Sequence, residues 1–261
     1  MTLLTHELRR NRVSLIVWTA CVGLLMAVCV ALWPEMEGEM DAVGDMFASM
    51  GAFTAAFGMD RLNFGTFMGF YAIECGNILG LGGAMFAAMT AAGTLAGEEK
   101  EGTAEFLLTH PVGRVRVLWS KLGAVLAQIA LLNAAVFLLT VSATAAVGEA
   151  VAWKELGLLH LAYLLLQLEL AGLCFGLSAV LRCGSLAAGL GVAAGAYFLD
   201  LVANISEKAE WLHYVTPFGY TAGADILERG ALDWPLVGLG MAYAAAGTAF
   251  AFLWYRRKDI R

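Results

Sequence analysis

Residues 13–33, VSLIVWTACVGLLMAVCVALW, contain no charged side chain. Inside a bilayer such a run must satisfy its own backbone N–H and C=O groups, and a helix does so within one segment. At a rise of about 1.5 Å per residue it covers roughly 31 Å, the thickness of the hydrocarbon core. Five further runs of this kind follow, at about 67–97, 117–147, 156–181, 184–204 and 234–255. Composition agrees: 60% of residues are hydrophobic and 15% charged, against about 25% charged in a soluble domain. The expectation is an all-α integral membrane protein, one transmembrane domain over residues 1–261 with six spans. The second and third runs exceed the core thickness and are expected to tilt or project. The first run is too long for a signal-peptide core and lacks a small-residue cleavage site, so it reads as a retained span.

Charge placement gives the orientation. With the N-terminus in the cytoplasm, twelve of the sixteen Lys and Arg residues fall on that side; Arg61, Lys154, Lys208 and Arg229 fall opposite. The positive-inside rule then places both termini in the cytoplasm of a cell-membrane protein. The external segments are 34–66, acidic at its start (PEMEGEMDAVGDM), and 205–233. A solvated acidic loop is the plainer reading of the former, cation gathering the other. Ahead of the first span, THELRRNR suits an amphipathic helix lying on the cytoplasmic leaflet, its arginines toward anionic headgroups.

Several chemistries are poorly supported. The five cysteines lack CxxC spacing and read as small apolar residues, so neither a disulfide framework nor a metal site is expected. His6, His110, His160 and His213 are scattered, and no catalytic group is expected. A net charge of −6 argues against nucleic acid as a partner. No G-x-x-x-x-G-K-[ST] occurs, so the chain does not cradle nucleotide phosphates in the P-loop manner.

Residues 98–116, EEKEGTAEFLLTHPVGRVR, separate the second and third runs on the cytoplasmic side. Glu98, Glu99, Glu101 and Glu105 occupy the first turns of a short helix, where carboxylates suit the positive helix end. Phe106, Leu107 and Leu108 follow, and Pro111 forces His110 out of helical geometry. A charged helix with an apolar edge reads as a docking element for a protein partner. A helix lying on lipid is the alternative, opposed by four glutamates against an anionic leaflet.

Glu98, Gly102, Thr103, Glu105, Leu107, Leu108, Pro111 and Arg114, with Lys121 seven residues later, form a pattern that resembles the first cytoplasmic loop of ABC-2 type permeases. These are the membrane subunits of ATP-binding-cassette exporters. HYVTPFGYTAGADILERG, residues 213–230, resembles the family's Ser-Pro-Phe segment before the last span, with Thr216 in the serine position. The resemblance covers essentially the whole chain. It implies that 98–116 is a coupling helix seated on a separate ATPase subunit, which carries the Mg-ATP, while this chain holds no cofactor. It also implies a second permease copy or paralogue, surrounding membrane lipid, short external helices before the last span, and a re-entrant outer gate around Pro217 and Phe218 that includes 219–230. From the residues alone, an ordinary amphipathic external helix at 219–230 is equally good.

Within the spans, Ala72, Gly76, Gly80, Ala84, Ala88, Ala92 and Ala96 form a small-residue stripe suited to close helix approach, within or between subunits. Glu74, Asn77, Gln167 and Glu169 are candidate pathway or interhelical polar groups. Glu74 and Asp200 sit near outer span ends; Glu169, at mid-span, either lines a path or bonds Gln128 or Asn133 of the third span. The rival to an exporter permease is a self-contained secondary carrier or membrane-embedded enzyme, for which one mid-membrane carboxylate is thin support.

Overall fold

The computed structural model describes residues 2–39, 50–63, 65–100, 113–181 and 185–257. Among these there is no strand. Six of the helices are long and apolar enough to cross a membrane: Arg12–Met36, Phe67–Gly97, Arg114–Ala146, Trp153–Val180, Leu186–Ile205 and Trp234–Arg257, termed spans one to six. They alternate in direction. Arg114, at the start of span three, donates to the carbonyls of Tyr255 and Arg256 at the end of span six. At the opposite end, the Trp33 indole donates to Glu149 between spans three and four, 2.9 Å away.

The span ends differ from the hydropathy boundaries by up to a turn. Span one runs through Pro34 to Met36, and span three begins at Arg114 rather than residue 117. Hydropathy marks where the chain leaves hydrocarbon, whereas a helix continues for as long as its backbone hydrogen bonds are satisfied. For the same reason the loop expected at 98–116 is shorter: the helix of span two reaches Lys100, and Arg114 and Arg116 belong to span three. Its middle, 101–112, lies outside the described residues, as does Cys183.

The Thr2–Arg10 helix forms as its amphipathic pattern predicts. Arg9 and Arg10 are exposed, while Glu7 turns inward. Leu4 rests on Gly123 of span three, where an added Cβ would lie 3.2 Å from its methyl carbon.

Spans two and four form the centre, with 61% and 67% of their apolar windows buried, against 22%, 17% and 17% for spans one, five and six. Between helices in lipid there is little hydrophobic drive, so close packing of small residues selects the central pair. The stripe of span two does this within the chain. A Cβ on Gly80 would meet the Tyr163 ring of span four at 3.0 Å, and one on Gly189 of span five would meet the Ala88 carbonyl at 2.6 Å. A four-residue step advances about 40° beyond a full turn of an α-helix, so the stripe winds and its partner changes along the span. One π-helical turn, Gly76–Leu81, interrupts span two where Tyr163 crosses it. Spans four and six close on a second glycine seam: a Cβ on Gly172 would lie 2.6 Å from the Ala244 carbonyl, and one on Gly176 2.6 Å from that of Gly247.

Candidate functional site

Between spans five and six the chain does not stay at the surface. A 3-10 helix, Glu207–Tyr214, follows the end of span five, and the turn after it descends into the bundle. Thr216 donates to the carbonyl of Ala196 at 2.8 Å. Ala196 lies nine residues before the end of span five at Ile205, about 13 Å along its axis. The Tyr163 hydroxyl donates to the Thr221 carbonyl at 3.1 Å. The chain then climbs back through the short helix Gly223–Arg229. Of the two readings of this region, residues 215–222 follow the re-entrant one rather than that of an ordinary surface helix, and Gly223–Arg229 is the short helix within 219–230. Interior carbonyls satisfy the polar groups that such a turn takes into the membrane. Pro217 and Phe218 stand in this turn, with Phe218 4% exposed.

Beneath the turn lies Glu169. It is sixteen residues beyond Trp153 in a span of 28 residues, about 24 Å along the axis. The Tyr220 hydroxyl donates to its Oε2 at 3.0 Å. Neither of the partners expected for Glu169, Gln128 or Asn133, is its bonding partner. Asn133 bonds Gln167 instead, at 2.6 Å, and Gln128 donates to the Ala124 carbonyl of its own helix. The cause is register. Gln167 points toward span two, where it would meet a Cβ on Gly83 at 2.1 Å, while Glu169, two residues on, presses on Gly240 of span six. The other polar groups singled out in the spans also bond across helices. Glu74 accepts from the Cys29 thiol at 3.8 Å, and Asn77 accepts from the Tyr197 hydroxyl at 3.3 Å.

Above the re-entrant turn a cavity of about 660 Å³ opens at the end of the bundle opposite the N-terminal helix. Its floor includes Tyr163, Phe218 and Tyr220, and its wall includes Asn77, Tyr197 and Asp200. Charged pairs tie its rim. Arg61 reaches Asp225 at 2.7 Å and Glu228 at 3.0 Å, pinning the segment before span two to the helix that leaves the turn. Asp225 holds the Arg61 guanidinium above its already high ordinary pKa. His213 faces Asp200 across 3.4 Å, an ion-pair distance. That carboxylate raises the imidazole pKa above 6.5; partial burial opposes it, and Glu210 and Asp225 add to it. Among the described residues no three His, Cys, Asp or Glu side chains converge as a metal site.

The N-terminal end holds a second buried node. Lys121 of span three is fully buried and donates to Glu7 at 2.9 Å and to the Thr94 carbonyl of span two at 3.1 Å. Lys121 thus joins the N-terminal helix to the two spans that flank residues 101–112. Of the residues expected to meet an ATPase subunit, Gly102, Thr103, Glu105, Phe106, Leu107, Leu108 and Pro111 lie outside the described residues. Glu98 is in the helix of span two, and Arg114 binds the end of span six. Sequence reasoning missed Glu7, Tyr163, Tyr220 and His213. Glu7 had one available signal, a single carboxylate on the apolar side of an arginine-rich helix.

The family profile described as ABC-2 family transporter protein matches residues 1–260. No curated protein matches the chain. A match over this length accounts for six spans without any nucleotide-binding domain among them. The chain belongs to the ABC-2 family of transporter proteins and is a multi-pass membrane permease component of an ABC transporter.

Proposed function

We propose that the chain is the permease subunit of an ATP-driven exporter in the cell membrane, with both termini cytoplasmic. Two permeases, identical or paralogous, form the pathway, each supplying half. A separate ATP-binding subunit carries the Mg-ATP and docks on residues 98–116, with Glu98, Gly102, Thr103, Glu105, Phe106, Leu107, Leu108, Pro111 and Arg114 forming or framing the contact. One observation carries the coupling role: the helices on both sides of 101–112 are fixed to each other and to the N-terminal helix through Lys121. Force applied to the loop therefore enters a braced frame rather than two loose helix ends. The cavity at the other end supports outward release, since the positive-inside bias places that end outside.

The test is co-expression with the cognate ATP-binding subunit. Leu107→Asp with Leu108→Asp is expected to abolish copurification of that subunit while the permease still extracts as a folded protein. Retained association and transport in the double variant would overturn the docking assignment. Cys183 is expected to react with an impermeant thiol reagent from the cytoplasmic face only; labelling from outside intact cells would reverse the topology.

A further inference from the structure

The cavity ends at a floor, and the floor is fastened from below. Tyr163, Phe218 and Tyr220 line the cavity, whereas Glu169 does not. The Tyr220 ring therefore borders the cavity while its hydroxyl reaches past the turn to a carboxylate that is 1% exposed. That carboxylate stands in the seam between spans four and six, where a Cβ on Gly240 would lie 2.0 Å from its Oε2. A relative shift of these two spans cannot leave it in place. Among the described residues, the other side-chain attachments of 215–222 to the spans, Tyr163 to the Thr221 carbonyl and Thr216 to the Ala196 carbonyl, involve spans four and five, while Tyr243 of span six reaches only the Tyr214 carbonyl at the entrance to the turn. Tyr220 is the attachment whose acceptor is pressed against span six.

We propose that the Glu169–Tyr220 hydrogen bond is the latch of the intramembrane barrier, released when spans four and six move against each other. Release frees the re-entrant turn and joins the cavity to the N-terminal half of the seam. Glu169 is a positioning residue: it holds the turn through Tyr220. This rests on the reading of the chain as a transport permease, because a latch matters only where a pathway opens.

The experiment uses the assembled transporter in intact cells, with native cysteines replaced except where stated. Leu173 is one turn beyond Glu169 toward the N-terminal end, its Cα 3.0 Å from where a Cβ on Gly247 would lie. An impermeant methanethiosulfonate reagent is added outside to Leu173→Cys, and in parallel to a chain retaining only Cys174, a fully buried side chain. Tyr220→Phe and Glu169→Ala are expected to speed labelling at position 173 about tenfold, the population equivalent of one lost hydrogen bond. Combining them adds no more, because both remove one interaction. Glu169→Gln, whose amide oxygen still accepts, protects position 173, and Cys174 stays unreactive throughout. Unchanged labelling at 173, labelling of Cys174 as well, or Glu169→Gln behaving as Glu169→Ala would each overturn the latch. Copurification of the ATP-binding subunit is unaffected by these variants, so failure of the latch and failure of the permease reading are separate results.

Discussion

Lys121 offers the sharpest energetic test of how the N-terminal helix is held. Its ammonium is fully buried, its partner Glu7 is 4% exposed, and the Thr94 carbonyl is the second acceptor. Removing one member of a buried ion pair costs about 3–5 kcal/mol because the other charge stays behind, while replacing both by apolar groups is often neutral or stabilising. The structure makes the two single variants unequal. Glu7 sits on a nine-residue helix at the edge of the bundle and can reach water by lifting off, whereas Lys121 is fixed two turns inside a 33-residue span. Glu7→Ala is therefore expected to cost the larger amount, near the top of the roughly 3–5 kcal/mol range. Lys121→Met is expected to cost less, because its damage stops once the N-terminal helix undocks. Two readouts separate these routes: thermal unfolding of the purified permease in detergent, and trypsin cleavage after Arg9, Arg10 and Arg12. Lys121→Met accelerates cleavage strongly with a moderate fall in melting temperature. Glu7→Ala lowers the melting temperature further, and Glu7→Leu with Lys121→Met restores it. If the double variant is as unstable as the sum of the singles, the pair is not an energetic unit and the argument fails.

Gly176→Val is expected to force spans four and six apart at a cost of about 1–3 kcal/mol or more, since its Cβ meets the Gly247 carbonyl at 2.6 Å. Gly157→Ala in the same span, with nothing within 4 Å, is expected to be silent or to stabilise by up to about 1 kcal/mol through helix propensity; parallel melting curves compare them. His213 has a folded-state pKa raised above 6.5 by Asp200, so its contribution is complete below about pH 6.5 and is lost as pH rises through the raised value. Melting temperature should therefore fall across that window, less steeply in high salt, and His213→Gln should flatten the profile; an unchanged slope would refute the assignment. Arg61→Ala removes an exposed two-carboxylate contact and is expected to cost no more than about 1 kcal/mol, yet to speed proteolysis within residues 50–63.

The number of spans was legible because each is a long apolar run and a bilayer leaves such a run little choice. The N-terminal helix was legible too, since a hydrophobic start leads into three arginines, Arg9, Arg10 and Arg12, just ahead of the first span. What could not be read was which polar groups meet. Gln167 and Glu169 are two residues apart and about 200° apart around the helix, so their partners depend on which spans flank span four on each side. That arrangement is fixed by glycines: Gly83 leaves room for Gln167 and Gly240 for Glu169. In a chain with thirty glycines, composition alone does not say which are contact points. The re-entrant course was legible only through the family resemblance, because the residues of 219–230 taken alone suit a surface helix equally well. Its bonds to Ala196, Glu169 and Tyr163 show that it is buried.

The two buried polar nodes differ in a way that bears on mechanism. At the N-terminal end, Lys121 of span three joins the N-terminal helix and span two through a charged pair and a carbonyl, and behaves as a brace. At mid-bundle, one phenol holds the re-entrant turn to a carboxylate lying on a glycine seam between two long helices. A brace should be expensive to break and insensitive to the transport cycle; a latch should be cheap to break and sensitive to it. Removing one partner costs about 3–5 kcal/mol where it strands an opposite charge, as at Lys121, and about 1–3 kcal/mol where it removes a phenol from a carboxylate, as at Glu169. In the proposed exporter the stroke thus enters where the fold is hardest to deform and acts where it is easiest. Exchanging the strengths tests this: a variant that loosens Lys121 should uncouple ATP hydrolysis from transport, whereas Tyr220→Phe should leave hydrolysis intact and raise leak.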